Sequence, residues 1–235
     1  MASEHDPRFL ERRISSDIIL YVPMIDGDTR DFSIYNHTVI ASGDATVTPG
    51  SRFLSLDGTG DWITTADGPS LDVGDDFSVS IWVRPNSPGT GAIRVPVSRY
   101  YAAANKRSWV ISLRYADSPQ RVFGVVGDGV SAAIIYAFNQ TLPTSGWHHY
   151  CMVYSKAAVA GSRVAMYYNG SAMTVSTLIG DIAVSPFNND IGVRLGNDGD
   201  GTAATAWKGD VTGATIYNRP LSPTEVSVIY QKGLP

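Results

Sequence analysis

The sequence contains a single cysteine, Cys151, and one thiol cannot form an internal disulfide. With 235 residues the chain is long enough to bury a stable core without such a cross-link. Cys151 stands inside an apolar stretch, so we expect a buried small side chain rather than a reactive thiol. Runs of basic residues are also missing and the formal net charge is -4, which argues against nucleic acid as a partner.

Long apolar segments are missing as well, so the sequence predicts no membrane insertion. Residues 1–16 are polar and charged around Phe9 and Leu10, without the apolar stretch of a signal peptide. We therefore expect synthesis and folding in a cytoplasm, or a non-standard export route. We interpret residues 1–16 as an N-terminal arm that docks on protein neighbours in a homo-oligomer or larger assembly. Residues 17–235 are predicted to form one domain, because no linker interrupts the strand pattern.

Glutamate is scarce, and the chain contains only Glu4, Glu11 and Glu225. The first two lie in the arm, and Glu225 completes the capping box Ser222-Pro223-Thr224-Glu225 of a short helix. A pair of carboxylates on one strand, as glycoside hydrolysis requires, is not found. A Gly-x-Ser-x-Gly nucleophile motif is also missing. The sequence therefore predicts no catalytic residues and a protein that is not an enzyme.

Short apolar segments separated by turn residues make up most of the remaining chain. The clearest pair is Trp147–Tyr154 and Arg163–Tyr168, followed by the tight-turn signal Asn169-Gly170. Both faces of the first strand are largely apolar, which predicts one face in the core and one lining a surface groove. Phe77–Val83 alternates as a half-buried strand. About a dozen such strands and one terminal helix predict an all-β antiparallel sandwich.

Six segments carry a common pattern: Leu54–Ile63, Phe77–Pro85, Gly146–His149, Tyr167–Gly170, Ile191–Asn197 and the closing stretch Trp207–Ser222. In this order they resemble motifs of the laminin-G-like, or concanavalin A-like, jelly-roll domains. The resemblance implies two packed, curved antiparallel sheets with a concave face. Members of that family include glycan-binding modules, adhesion modules and structural appendages, some of them on viral particles. The motif that contains His148 and His149 has a packing role in the family, so we expect structural histidines.

Many members of this family hold one Ca²⁺ at the rim of the sandwich, and the resemblance implies where it would bind here. Asp57 and Asp61 match the family's Asp-Gly-x-x-Asp turn, and the loop Asn197, Asp198 and Asp200 is rich in oxygen ligands. Thr212 and Gly213 occupy the closing positions that usually carry acidic residues. The same acidic residues are also common in turns that bind no metal, and that alternative stays open.

A sugar site would combine aromatic side chains with amide groups in a shallow depression. The loop that begins at Tyr100 and Tyr101 has no obvious core role, so Tyr100, Tyr101, Asn105 and Trp109 are the candidate ligand-binding residues. Two functions follow. The first is a structural or attachment protein displayed on a larger assembly such as a phage particle, at the virion surface. The alternative is a free-standing, extracellular carbohydrate-binding module that recognises a surface glycan.

Overall fold

The computed structural model describes residues 16–87, 92–131 and 133–234. Its strands form two antiparallel sheets. Sheet A contains β1 (Ile18–Val22), β3 (Thr46–Val47), β4 (Leu54–Asp57), β6 (Asp76–Pro85), β11 (His148–Ser155), β12 (Val164–Tyr168), β13 (Ser171–Ala172) and β16 (Lys208–Tyr217). Sheet B contains β2 (Val39–Ser42), β5 (Trp62–Thr65), β7 (Ile93–Tyr101), β8 (Lys106–Arg114), β9 (Arg121–Gly129), β10 (Ile134–Asn139), β14 (Val175–Asp181) and β15 (Arg194–Leu195).

The two sheets pack face to face as a sandwich, which confirms the predicted all-β class. Sheet A has the order β13-β12-β11-β6-β16-β4-β3, with β1 beside β16, and sheet B has the order β14-β10-β9-β8-β7-β15-β5-β2. The largest cluster of buried apolar residues lies between them and includes Phe77, Trp109, Tyr150 and Trp207. Burial of this apolar surface is the main stabilising contribution of the fold. The predicted N-terminal arm, residues 1–16, lies outside the described residues except for Ser16.

The one α-helix among the described residues, α1 (Pro223–Gln231), covers the outer face of sheet A. It begins with the predicted capping box, in which the Glu225 amide donates to the Ser222 hydroxyl and the Ser222 amide donates to the Glu225 carboxylate. Val226 of the helix packs on Cys151 and Val153 of β11. The prediction that this face of β11 lines a surface groove is therefore wrong, because the helix fills that space.

The helix also changes the expected exposure of β6. Ser78, Ser80 and Trp82 face away from the core, yet all three are buried. Trp82 stacks on Tyr230 of α1 with ring centroids 5.6 Å apart, and the Ser78 hydroxyl accepts from the Leu221 amide. The strand is thus covered on both faces rather than half-buried.

The central hairpin has the local structure that its sequence predicts. Asn169 and Gly170 adopt φ angles of 48° and 77°, as a tight turn of this type requires. His149 is buried, and its Nε2 lies 2.8 Å from the Ser80 hydroxyl. His148 stacks on Tyr168. Both histidines have structural roles, as expected, and Cys151 is completely buried.

In the part of the chain that the structure describes, no helix is long and apolar enough to cross a membrane.

Candidate functional site

The loop that follows β15 lies against the ends of β5 and β7. The Gly199 amide donates to the Tyr100 carbonyl at 2.6 Å, and a Cβ on Gly199 would lie 2.2 Å from the Cβ of Tyr101. Only glycine permits that approach. Gly201, at a φ of +66°, lies directly on the indole ring of Trp62. The loop is therefore held against two aromatic residues on neighbouring parts of sheet B.

Arg194 of β15 connects the parts of this region. Its guanidinium donates to the Asp198 carbonyl at 2.8 Å and lies 5.1 Å from the ring centroid of Trp62. It also interacts electrostatically with Asp198, Asp200 and Tyr101. We call Trp62, Tyr101, Arg194, Asp198 and Asp200 the rim site. It combines two partly exposed aromatic rings with a cation and two carboxyl groups.

Internal hydrogen bonds fix the carboxyl groups of the rim site. The Thr205 hydroxyl donates to Asp198 Oδ1 at 2.9 Å and to Asn197 Oδ1 at 2.8 Å. Burial, together with the neighbouring Asp200 carboxyl, raises the pKa of Asp198 to about 6. Asp198 therefore changes from a hydrogen-bond donor to an acceptor near pH 6. Asn197 is fully buried, and its side chain serves the loop itself.

The predicted sugar-binding residues have different positions in the structure. Tyr100 and Tyr101 are the last two residues of β7 rather than loop residues, and Asn105 is exposed in the turn that follows. Trp109 is 0% exposed and belongs to the core between the sheets, so its assignment as a ligand-binding residue is wrong. Strand β8 begins at Lys106, and the alternation along this strand turns Trp109 inward with Ile111.

The predicted calcium ligands separate into two groups. Asp57 and Asp61 come together with Asp44, and the carboxylate oxygens of these three residues lie within 4.8 Å of one another. Asp198 and Asp200 are not part of this group. The side-chain oxygen of Asn197 accepts hydrogen bonds inside its own loop.

The three carboxylates of Asp44, Asp57 and Asp61 provide oxygen ligands of the kind that Ca²⁺ prefers. Hydrogen bonds from the Thr59 hydroxyl and amide lower the pKa of Asp57, whereas burial raises the pKa of Asp61. A divalent cation among the three would offset both the burial of Asp61 and the mutual repulsion. The donor set therefore fits a hard cation.

Sequence reasoning missed Trp62, Arg194 and Asp44. The signal for Trp62 was available, because alternation with Ile63, which is in the core, turns Trp62 outward. Nothing local to Asp44 links it to residues 57–61, since the contact depends on how the turn after β2 packs against the turn between β4 and β5.

A profile of the concanavalin A-like lectin/glucanases superfamily matches residues 57–227. The chain belongs to this superfamily. No curated protein is significantly similar to this superfamily member.

Several solved structures share the fold of this superfamily member. The receptor binding domain of botulinum neurotoxin mosaic serotype C/D matches with a TM-score of 0.69 at 16% identity, over 92% of this chain and 51% of that chain. The binding domain of Paraclostridial Mosquitocidal Protein 1 matches with a TM-score of 0.65 at 14% identity, over 92% and 52%. The botulinum neurotoxin serotype D ligand binding domain was solved in complex with N-acetylneuraminic acid. It matches with a TM-score of 0.67 at 13% identity, over 92% of this chain and 51% of that chain. The chain thus spans about half the length of these structures.

Proposed function

We propose that this domain is a non-enzymatic, extracellular glycan-binding module that holds a sugar at the rim site. The observation that carries the proposal is that one loop brings Trp62 and Tyr101 together with the Asp198 and Asp200 carboxyl groups. Aromatic rings bind the apolar face of a sugar ring, and carboxylates accept hydrogen bonds from its hydroxyls. Arg194 lies against the Trp62 ring and donates to the backbone carbonyl of Asp198, so it connects the ring to the loop that carries the carboxyl groups. The family and the binding domains that share its fold support this proposal.

Replacement of Tyr101 by alanine and of Asp200 by asparagine tests the rim site. A glycan array on the unmodified protein selects a ligand, and titration calorimetry with that ligand then compares the variants. We expect each substitution to weaken binding by about ten-fold, because each removes roughly one stacking or charge-assisted contact. Tyr35→Ala, at an exposed tyrosine elsewhere, is the matched control. Equal affinity in all four proteins, or an array without a ligand, would contradict the proposal.

Calcium binding at Asp44, Asp57 and Asp61 is a second part of the proposal. A cation that binds only the folded state raises the free energy of unfolding by about 2.7 kcal/mol at one hundred times its dissociation constant. We therefore expect Ca²⁺ to raise the melting temperature, measured by differential scanning fluorimetry with and without chelator. Asp61→Asn should remove this shift, whereas Asp200→Asn should retain it. A shift that disappears in Asp200→Asn instead would place the cation in the loop that contains Asn197, Asp198 and Asp200.

The more specific prediction of a subunit displayed on a phage particle rests on the charged residues 1–16, on expected synthesis in a cytoplasm, on a single domain without a catalytic pair and on the viral members of the family. Homo-oligomer formation and docking through this arm stay predictions. The glycan-binding proposal does not depend on them.

A further inference from the structure

Two arginines and an asparagine form a row across the outer face of sheet B. Arg114 of β8 directly opposes Arg121 of β9, and Arg121 directly opposes Asn139 of β10. Their neighbours Leu113 and Val122 belong to the core, so alternation directs the two arginines to the outer face. We call Arg114, Arg121 and Asn139 the arginine row. The length of strand β8 separates the row from the rim site. Lys106, at one end of β8, pairs with Tyr101 of the rim site. Arg114, at the other end, lies about 27 Å from Lys106 at roughly 3.4 Å per residue.

The arginine row opposes the stability of the sheet. Like charges directly opposite each other on paired strands are destabilising. Asp117 compensates Arg121 through an ion pair of 2.8 Å. The Arg114 side chain makes no hydrogen bond or ion pair with any described residue, and its Nε is buried without a partner. A buried charged donor with no acceptor is costly to the folded state.

The two guanidinium groups are held in place by an aromatic ring. The Cζ atoms of Arg114 and Arg121 lie 4.3 and 5.0 Å from the ring centroid of Phe123. Phe123 is itself buried among Val110 and Val125 on this face. The ring fixes the position of both cations without neutralising them. The guanidinium group of Arg114 is thus preorganised to accept an external anion.

A polar depression of about 370 Å³ adjoins the row and is lined by Pro119, Gln120, Asn139, Gln140 and Thr141. Its amide and hydroxyl groups suit the hydroxyls of a sugar ring. Nucleic acid is disfavoured, because two arginines in a chain of net charge -4 supply little of the phosphate neutralisation that it needs. The neighbouring amides and the small number of cations favour a ligand with one isolated anionic group.

We propose that the arginine row binds the carboxylate or sulfate group of an acidic saccharide, whose adjacent sugar occupies the Gln120–Asn139 depression. Arg114 is the principal contact, because its guanidinium offers a planar set of donors that matches an oxyanion. Arg121 adds a second cation within reach of the same group. This site is separate from the rim site, so either can exist without the other.

Titration of the full chain with defined saccharides tests the proposal. The probes are oligogalacturonate, its methyl-esterified form, dextran sulfate and unmodified dextran. We expect at least one charged probe to bind and both neutral counterparts to bind at least ten-fold more weakly. Oligogalacturonate binding alone would identify the anion as a carboxylate, and dextran sulfate binding alone would identify it as a sulfate.

Variants then assign the binding to the row. We expect Arg114→Gln to lower the affinity for the charged probe about ten-fold or more. Arg114→Lys, which keeps the charge but loses the planar donors, should lie between Arg114→Gln and the unmodified protein. Arg30→Gln removes one charge at a 64% exposed side chain and should retain the affinity. Tyr101→Ala, in the rim site, should also retain it.

Three results would overturn the proposal. The first is that neither charged probe binds. The second is that Arg114→Gln and Arg30→Gln lower the affinity equally, which would reveal a diffuse effect of net charge. The third is that a polyglutamate peptide of equal charge binds as tightly as the saccharide, which would assign the row to an acidic protein segment.

Discussion

Replacement of Arg99 by alanine is expected to lower the free energy of unfolding by about 3–5 kcal/mol, because it leaves three buried or partly buried backbone carbonyl oxygens without a donor. The Arg99 side chain is 0% exposed. It joins β7 to two segments, residues 67–72 and residues 189–191, that have no strand pairing with it. Its guanidinium donates at 2.6–3.0 Å to the carbonyl oxygens of Leu71, Asn189 and Ile191 and to the Asp67 carboxylate. It also forms an ion pair with the Asp72 carboxylate at 2.8 Å.

Urea denaturation followed by tryptophan fluorescence measures this loss. Arg99→Lys should recover only part of the stability, because one ammonium group cannot replace a planar set of donors to four acceptors. Arg30→Ala removes an exposed ion pair with Asp28 and should change the free energy of unfolding by less than about 1 kcal/mol. A change for Arg99→Ala as small as the one for Arg30→Ala would disprove the assigned role.

Replacement of Asp31 by alanine is expected to cost about 2–4 kcal/mol, because its carboxylate organises the segment after β1. Asp31 is buried and accepts hydrogen bonds from the backbone amides of Tyr21, Ser33 and His37. The His37 Nδ1 lies 2.6 Å from Asp31 Oδ2, and the His37 Nε2 lies 2.7 Å from the Ser70 hydroxyl. The imidazole thus connects this segment to the 3₁₀ turn Pro69–Leu71.

The effect of Asp31→Ala should depend on pH in a defined direction. Burial raises the pKa of Asp31, but the hydrogen bonds from His37 and from the three backbone amides outweigh burial, so the pKa is lowered below 3.8. The carboxylate therefore contributes stability above about pH 4, and this contribution is lost as the pH falls towards the folded-state pKa. The difference in the free energy of unfolding between Asp31→Ala and the unmodified protein should become smaller below pH 4. Ser70→Ala, the control, should cost less than about 1 kcal/mol.

Chemical denaturation at pH 7, 5, 4 and 3 measures these differences. If the difference in the free energy of unfolding between Asp31→Ala and the unmodified protein stays constant or increases below pH 4, Asp31 is not the ionised acceptor of this network.

Elements whose structure depends on neighbouring residues could be predicted from the sequence. The Asn169-Gly170 turn requires positive φ angles, and the Ser222–Glu225 box satisfies the first amides of its own helix. Both are set within a few residues, and both are confirmed. The family motifs also predicted how the strands are arranged in two packed sheets, because the motifs imply a known fold and local rules do not.

Features that depend on distant contacts could not be predicted in the same way. The outer face of β11 was predicted to line a groove, because the sequence does not show that α1 packs on this face. Arg99 and Asp31 look like surface residues until segments far apart in sequence surround them. The structure also aligns an aspartate, a histidine and a serine at Asp31, His37 and Ser70, where the imidazole connects two segments that are far apart in the sequence.

The candidate site was partly predictable for the same reason. The aromatic and acidic side chains of Tyr101, Asp198 and Asp200 made these residues predictable as site candidates. The structure brings the three together. Trp109 was misassigned because one residue of uncertainty in where β8 begins moves a side chain to the opposite face.

The pairing of β1 with β16 determines how this domain can be attached to anything else. The Asn218 amide donates to the Asp17 carbonyl, and Arg219 bridges Asp17 and Glu225, so both ends of the described fold emerge on the side of sheet A. A tether or a fusion partner at either end therefore lies behind sheet A. The arginine row lies on the outer face of sheet B, which is the opposite side of the sandwich.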